Sequence, residues 1–177
     1  MAAASDGVIA LREIRGDDLP LLTLWERRTE QEQPYNYFEQ THRPPRLSEG
    51  IPPGGFNTAD HGRLIIELTD GTIIGDLSWH QVAYGPNRES AAFNIGIALR
   101  PDHRGQGHGA RAQRLIAGHL FDTSDVNRVE ASTDVDNVAE QRALTKAGFT
   151  REGVVRGAQF RAGAFHDLVL YSILRGE

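Results

Sequence analysis

The chain has 177 residues, enough for one well-buried domain and too few for two comfortable ones. Hydrophobic residues at 39% and charged residues at 24% argue against disorder; the absence of cysteine excludes disulfides, thiolate metal sites and a cysteine nucleophile together. A formal charge of −5, with no run of Lys or Arg, argues against a general nucleic-acid binder and tilts mildly toward a cationic substrate.

Met1 to Gly7 is small and polar and lacks the basic-then-apolar pattern of a secretory signal. It reads as a flexible leader, residues 1–7, before a single domain over residues 8–177. With no cysteine, and no apolar stretch near the roughly 20 residues that a membrane helix needs, a cytoplasmic protein with no membrane partner is expected. Val8 to Ile14 alternates enough to be a first strand, Arg15-Gly16-Asp17-Asp18 offers an N-cap, and Leu19, Leu22 and Trp25 recur at helical spacing up to Arg28. Residues 31–61 are rich in Pro, Gly, Asn and Gln, without a sustained period; a loop of that length inside a compact domain is usually functional or mobile.

Arg63 to Leu68 and Thr72 to Val82 flank Asp70-Gly71, a strong hairpin signal. Ala91 to Leu99 predicts a further strand, ended by Arg100-Pro101. A glycine-rich turn then opens a helix through about Phe121, with Ala112, Leu115, Ile116 and Leu120 on one face. Arg128 to Thr133 reads as a strand and Ala139 to Ala147 as a helix stopped by Gly148; Phe149 to Val155 and Phe165 to Leu174 read as a closing strand pair. The order predicts an α/β domain, a mixed sheet with helices on its faces.

The most informative stretch is Ile97 to Ala110: a strand, a proline, then Arg104-Gly105-Gln106-Gly107-His108-Gly109 opening a helix. Glycines let backbone amides turn inward, and a helix N-terminus adds unpaired N–H groups and a positive dipole end, so a pyrophosphate suits such a cradle. A plain glycine turn is the alternative. The segment contains neither G-x-x-x-x-G-K-[ST] nor G-x-G-x-x-G, which disfavours a nucleotide-binding kinase or oxidoreductase.

Arg104 to Ala110 resembles the acetyl-CoA signature of the GNAT N-acetyltransferases, (Q/R)-x-x-G-x-(G/A). A second landmark follows at the family's spacing: Asp136-Asn137, then Arg142 to Phe149, with Glu152 to Arg156 and His166 to Ser172 after it. The combination is most similar to the RimJ/RimL branch, which acetylates protein N-termini and small-molecule amines. The resemblance implies a GNAT fold, a mixed, mostly antiparallel sheet of six to seven strands flanked by helices, with a splayed central strand pair.

It further implies acetyl-CoA as donor, its pantetheine arm in the gap between 95–99 and 128–133. Ile97 and Leu99 would bond the arm through backbone groups. Arg104, Gly105, Gln106, Gly107, His108, Gly109 and Ala110 would take the pyrophosphate, and Asn137 would sit near the arm; Asn137 also reads as a plain helix cap. The partner implied is an amine-bearing small molecule or a peptide N-terminus, attacked directly in a ternary complex, and a homodimer is common in the family.

Proton handling departs from the family pattern. Leu144 stands where many members carry a Tyr acid, Glu140 where RimJ/RimL-like chains carry a Ser, and Asn94 where many carry a Glu base. Three candidates for catalysis remain: Glu140, which equally reads as a carboxylate complementing a helix dipole; His80, with its near-neutral titration; and Asn94, able to orient a water or the incoming amine. Residues 25–61, Trp79 and the closing hairpin are expected to build the acceptor pocket, with Glu26, Glu30, Glu32 and Glu39 for charge and Tyr35, Tyr37, Phe38 and Phe56 as an aromatic wall; ordinary loop packing explains the same residues. His42, His61, His119 and His166 lack metal-ligand spacing, so no metal is expected. The competing reading, a non-catalytic acyl-CoA-binding sensor of the same fold, draws on the missing acid and base.

Overall fold

The computed structural model describes residues 2–26, 34–36, 38 and 55–177. In chain order these form β1 (Ala2–Ser5), β2 (Ile9–Glu13), α1 (Leu19–Glu26), β3 (His61–Leu68), β4 (Ile73–Ala83), β5 (Ala91–Leu99), α2 (His108–Thr123), β6 (Arg128–Asp134), α3 (Val138–Ala147), β7 (Thr150–Arg161) and β8 (Ala164–Leu174). The strands make one sheet in the order β1-β2-β3-β4-β5-β6-β8-β7. Every neighbouring pair is antiparallel except β5–β6.

Eight strands exceed the six to seven expected. The addition is β1, from residues read as a leader. Asp6 closes the β1–β2 turn, its Oδ1 accepting from the N–H groups of Val8 (2.9 Å) and Ile9 (3.0 Å), and Gly7 sits at φ +82°. Asp6 Oδ2 also accepts from Arg111 of α2 at 2.7 Å, tying the edge hairpin to the helix. Asp6-Gly7 is the same dipeptide signal that marks Asp70-Gly71.

Strand alternation sends two sets of side chains to opposite faces. On one face Ile9, Leu64, Leu77, Phe93, Ile95 and Val129 join the buried stripe of α2, Ala112, Ile116, Ala117 and Leu120, in the main core. On the other, α1 packs Leu22 and Trp25 on Ile14 and Ile65. Arg12 anchors that side, donating to both carboxylate oxygens of Asp18 (2.7 and 3.0 Å) and to Glu67 (2.5 Å). Trp79, expected in the acceptor pocket, instead lies in the α2-side core, 6% exposed.

β4 approaches the end of β5 closely at Gly75, where an added Cβ would lie 2.3 Å from the carbonyl oxygen of Ala98. That atom belongs to the backbone and cannot swing away. Gly75→Ala is therefore expected to destabilise the fold by about 1–3 kcal/mol in urea unfolding, and an unchanged midpoint would contradict this packing.

Candidate active site

The only parallel ladder in the described sheet holds two register pairs, Phe93↔Val129 and Asn94↔Glu130. Beyond them β5 stays paired to β4 as far as Gly75↔Leu99, and β6 stays paired to β8 as far as Asp134↔Leu168. The inner edges of β5 and β6 thus part after Asn94 and Glu130, opening a gap in mid-sheet. The carbonyls of Ile97 and Leu99 accept from side chains rather than from a strand: from Asn36 Nδ2 (3.5 Å) and Arg104 Nε (3.1 Å). Because a strand residue's N–H and C=O share an edge, the N–H groups of Ile97 and Leu99 also face the gap.

At the far end of β5 the chain turns through Pro101–His103 and enters α2. Gly105 (φ +73°) and Gly107 (φ +84°) are left-handed, and nothing lies within 4 Å of a Cβ built on either. Gly107 is the N-cap and no side chain caps the helix; the first intrahelical bond runs from Arg111 N–H to Gly107 O. The N–H groups of the first turn are therefore open. Gly109 seats this turn on the strand, its missing Cβ 3.6 Å from Leu99 Cδ1 and 3.9 Å from Ile97 Cδ1. Gln106 Nε2 donates to Asp102 O (3.0 Å), bracing the loop. His108 Nδ1 is buried without a hydrogen-bond partner among the described residues, and burial, with His103 and Arg111 nearby, pulls its pKa down.

Asn137 N-caps α3, its Oδ1 accepting from Glu140 N–H (3.3 Å) while its Nδ2 donates to Thr133 Oγ1 (2.9 Å). The side chain of Glu140 reaches α2, where Gln113 Nε2 donates to Glu140 Oε1; the amide oxygen of Gln113 is buried and has no partner among the described residues. Burial pushes the Glu140 carboxyl up from 4.5 to about 7, the Gln113 donor opposing. Gln113 escaped the sequence reading, although it shares a helical stripe with Ile116, Ala117 and Leu120. Leu144 is fully buried in the main core.

His80 and Asn94 lie on the opposite face of the sheet, paired across β4 and β5. The three candidates for catalysis are not brought together: Glu140 belongs to the α2–α3 side, His80 and Asn94 to the other, and the gap is the opening between them. Asn94 Nδ2 donates to Glu130 Oε1 (3.2 Å), whose Oε2 accepts from Tyr84 OH (2.5 Å) and Arg128 Nε (2.9 Å). Arg128 also holds Glu152 bidentately (2.5 and 2.7 Å), pulling that carboxyl down to about 2. None of Tyr84, Arg128 and Glu130 was singled out from sequence. A charged residue between Val129 and Ala131 in a buried strand was the available signal.

Of the expected acceptor wall, Glu30, Glu32, Tyr37 and Glu39 lie outside the described residues, as does the side chain of Glu26. Tyr35 OH donates to Asp136 O (3.2 Å), and the Arg161 guanidinium stacks over the Tyr35 ring at 5.7 Å. Arg161 in turn donates to the buried Asp134 (2.6 Å). Phe56 packs at the edge of the α1 cluster. Among the described residues no cluster of three or more His, Asp or Glu could hold a metal ion, and no helix is long and apolar enough to cross a membrane.

Glu140 gives a pH signature. Its folded pKa, near 7, exceeds the unfolded 4.5, so between those values the folded chain binds more protons than the unfolded one, and stability falls as pH rises through the window. Glu140→Gln removes that loss. Its urea midpoint should exceed that of the parent at pH 8 by more than at pH 5; an equal difference at both would contradict the raised pKa.

The GNAT acetyltransferase domain model matches residues 9–150. A Bacillus subtilis (strain 168) protein named Probable N-acetyltransferase YjcK is 33% identical over 113 residues, 64% of this chain and 61% of that protein. The ribosomal-protein-serine acetyltransferase of Escherichia coli (strain K12) is 25% identical over 112 residues, 63% of this chain and 60% of that protein. The matches thus span about three fifths of the length of these curated relatives. Among solved structures, a Vibrio cholerae spermidine N-acetyltransferase in complex with CoA and spermine superposes with a TM-score of 0.77 at 18% identity, covering 96% of this chain and 97% of that one, a likeness of fold. The splayed mixed sheet, the glycine cradle at its gap and the family match over most of the chain agree: this protein belongs to the GNAT acetyltransferase family.

Proposed function

We propose that this chain is an N-acetyltransferase that moves the acetyl group of acetyl-CoA to a primary amine, a protein N-terminus or a small-molecule amine, by direct attack in a ternary complex. The observation that carries the reading is the end of the β5–β6 ladder at Asn94↔Glu130, with the backbone edge of Ile97 and Leu99, which has no strand partner there, leading to the open first turn of α2. An extended amide-bearing arm fits that edge as a third strand would, and a pyrophosphate fits the turn. The relatives named for acetylation of ribosomal protein and of spermidine support an amine acceptor.

In this reading the donor supplies an activated acyl group as a thioester. The N–H of Ile97 polarises its carbonyl, an effect that grows as charge develops on the oxygen. The N–H groups from Gly107 to Ala110 hold the pyrophosphate, and Arg104 and Gln106, bonded back to Leu99 O and Asp102 O, keep the loop shaped for it. His108 Nδ1 is a buried polar atom awaiting a partner at the same turn. Asn137 caps α3, and in this reading it sits near the donor's arm.

Attack requires an uncharged amine and an outlet for its proton. Glu140, titrating near 7, exchanges protons at working pH and is our candidate for that task on the α2–α3 side. His80 and Asn94 are the candidates for receiving the amine on the opposite face. The burial of Leu144, where related enzymes carry a tyrosine acid, keeps a second reading in view: an acyl-CoA sensor that binds without turnover.

The test incubates the protein with acetyl-CoA and spermidine, aminoglycosides, amino acids or N-terminal peptides, and follows free thiol. With no cysteine in the chain, every thiol that forms is CoA. Thiol release with at least one amine is expected; tight acetyl-CoA binding with silence across the panel would establish the sensor. Gly107→Trp, filling the mouth of the cradle at a left-handed position, should abolish acetyl-CoA binding in calorimetry, and unchanged affinity would show the loop to be misassigned. Glu140→Gln should lower kcat by roughly 100-fold with acetyl-CoA affinity intact if Glu140 moves a proton.

A further inference from the structure

The vertex of the gap carries a polar assembly around Asn94 whose other members, Glu130, Tyr84 and Arg128, the acyl-transfer reading leaves unused. Glu130 is buried at the last ladder pair, 5% exposed, and every polar contact to it comes from a donor. Its Oε2 takes two, Tyr84 OH at 2.5 Å and Arg128 Nε at 2.9 Å; its Oε1 takes Asn94 Nδ2 at 3.2 Å. An ionised carboxylate only accepts, so the edge of Asn94 that faces Glu130 must be its NH2. The orientation of a free asparagine amide is ambiguous; here the chemistry of the partner decides it.

The opposite edge of Asn94, its carbonyl Oδ1, meets no donor among the described residues. Alternation places Gly96 and Ser132 next along the two strands on this face, both exposed, and the cross-strand neighbours on β4, Ser78 and His80, are exposed as well. A Cβ on Gly96 would meet only Ser78 Oγ, at 3.3 Å, so the side chains leave room above Asn94. Arg128 lies between Glu130 and Glu152, one cation against two carboxylates, which leaves the vertex with a net negative charge.

We propose that Glu130, fixed by Tyr84 and Arg128, is a positioning residue that locks Asn94 with its Oδ1 toward the gap, where it accepts a hydrogen bond from the N–H of the acceptor amine. The proposal rests on the amine-acetyltransferase reading. The family's base position is thus filled here by a neutral acceptor on a carboxylate-backed mount. It takes no proton; it holds the incoming amine through one N–H, a binding contact kept from ground state to transition state, and the negative charge behind it favours an ammonium on approach.

Glu130→Gln is the discriminating variant because it is isosteric and reverses the logic. The oxygen of the new amide must face Tyr84 and the permanently charged Arg128, which puts its NH2 toward Asn94. Asn94 then turns its own oxygen inward and presents NH2, a donor, to the amine. The expected result is a KM for spermidine, or for a peptide with a free N-terminus, raised about tenfold with kcat and acetyl-CoA affinity little changed. Asn94→Ala should raise the amine KM by a similar factor, and the double variant should be no worse than Asn94→Ala alone. A product of the two single effects, or a loss of acetyl-CoA affinity in Glu130→Gln, would overturn the proposal. Side-chain amide exchange by NMR provides a readout independent of turnover: the Asn94 NH2 protons should exchange slowly in the parent and fast in Glu130→Gln, and fast exchange in the parent would also overturn it. Should the parent turn over neither amine, the transfer reading falls, while the exchange rates still decide whether the lock exists.

Discussion

The inner edges of β5 and β6 are bonded to each other at only two register pairs, and the rest of the site follows from that shortfall. Each strand is fully held on its outer side, β5 by β4 and β6 by β8, so neither is free to swing back and close the gap. A sheet that parts in its interior leaves main-chain donors and acceptors without strand partners. Unpaired groups of that kind are costly when sealed from water and useful when a ligand supplies the missing strand. The packing of Gly109 on Ile97 and Leu99 then sets the open end of α2 at the end of the same edge. In the proposed function, recognition of an extended arm and of its anionic terminus both follow from one interruption in one ladder.

The same interruption separates two chemical environments. On the α2–α3 side burial raises the Glu140 carboxyl to about 7, with Gln113 the one donor to its side chain among the described residues. On the other face Glu130 sits among donors, with Arg128 and Tyr84 in contact. In the proposed mechanism two acidic residues so differently surrounded have different uses: Glu140 exchanges a proton, Glu130 orients its neighbour. The family's usual acid and base positions hold Leu144 and Asn94 here, so this division of work is a property of this chain's own side chains.

Much of this was legible in the sequence because the signals were local. The strand ended by Arg100-Pro101, the glycines at 105 and 107, the cap at Asn137 and the stop at Gly148 depend on backbone conformations that a few neighbouring residues dictate, and each lies where the pattern placed it. β1 was missed because four small residues make a weak strand signal, although Asp6-Gly7 announced the turn. The assignment of Glu140 and Asn94 to opposite faces needed the register of β5 against β6, set by contacts far apart in sequence. Glu130 shows the limit most clearly, since its tyrosine partner is 46 residues away and only the folded sheet brings them together. Trp79 failed for a related reason: adjacency to His80 in sequence puts the two on opposite faces of a strand.

In the proposed function the free inner edge of β5 is the edge that binds the donor. Amide hydrogen exchange measured residue by residue, with and without acetyl-CoA, tests it directly. The N–H groups of Ile97 and Leu99 should exchange fast in the free protein and become protected on addition of acetyl-CoA, while those of β4 stay slow throughout. Protection of Ile97 and Leu99 in the free protein, or exchange at both sites that acetyl-CoA leaves unchanged while it binds, would contradict the claim.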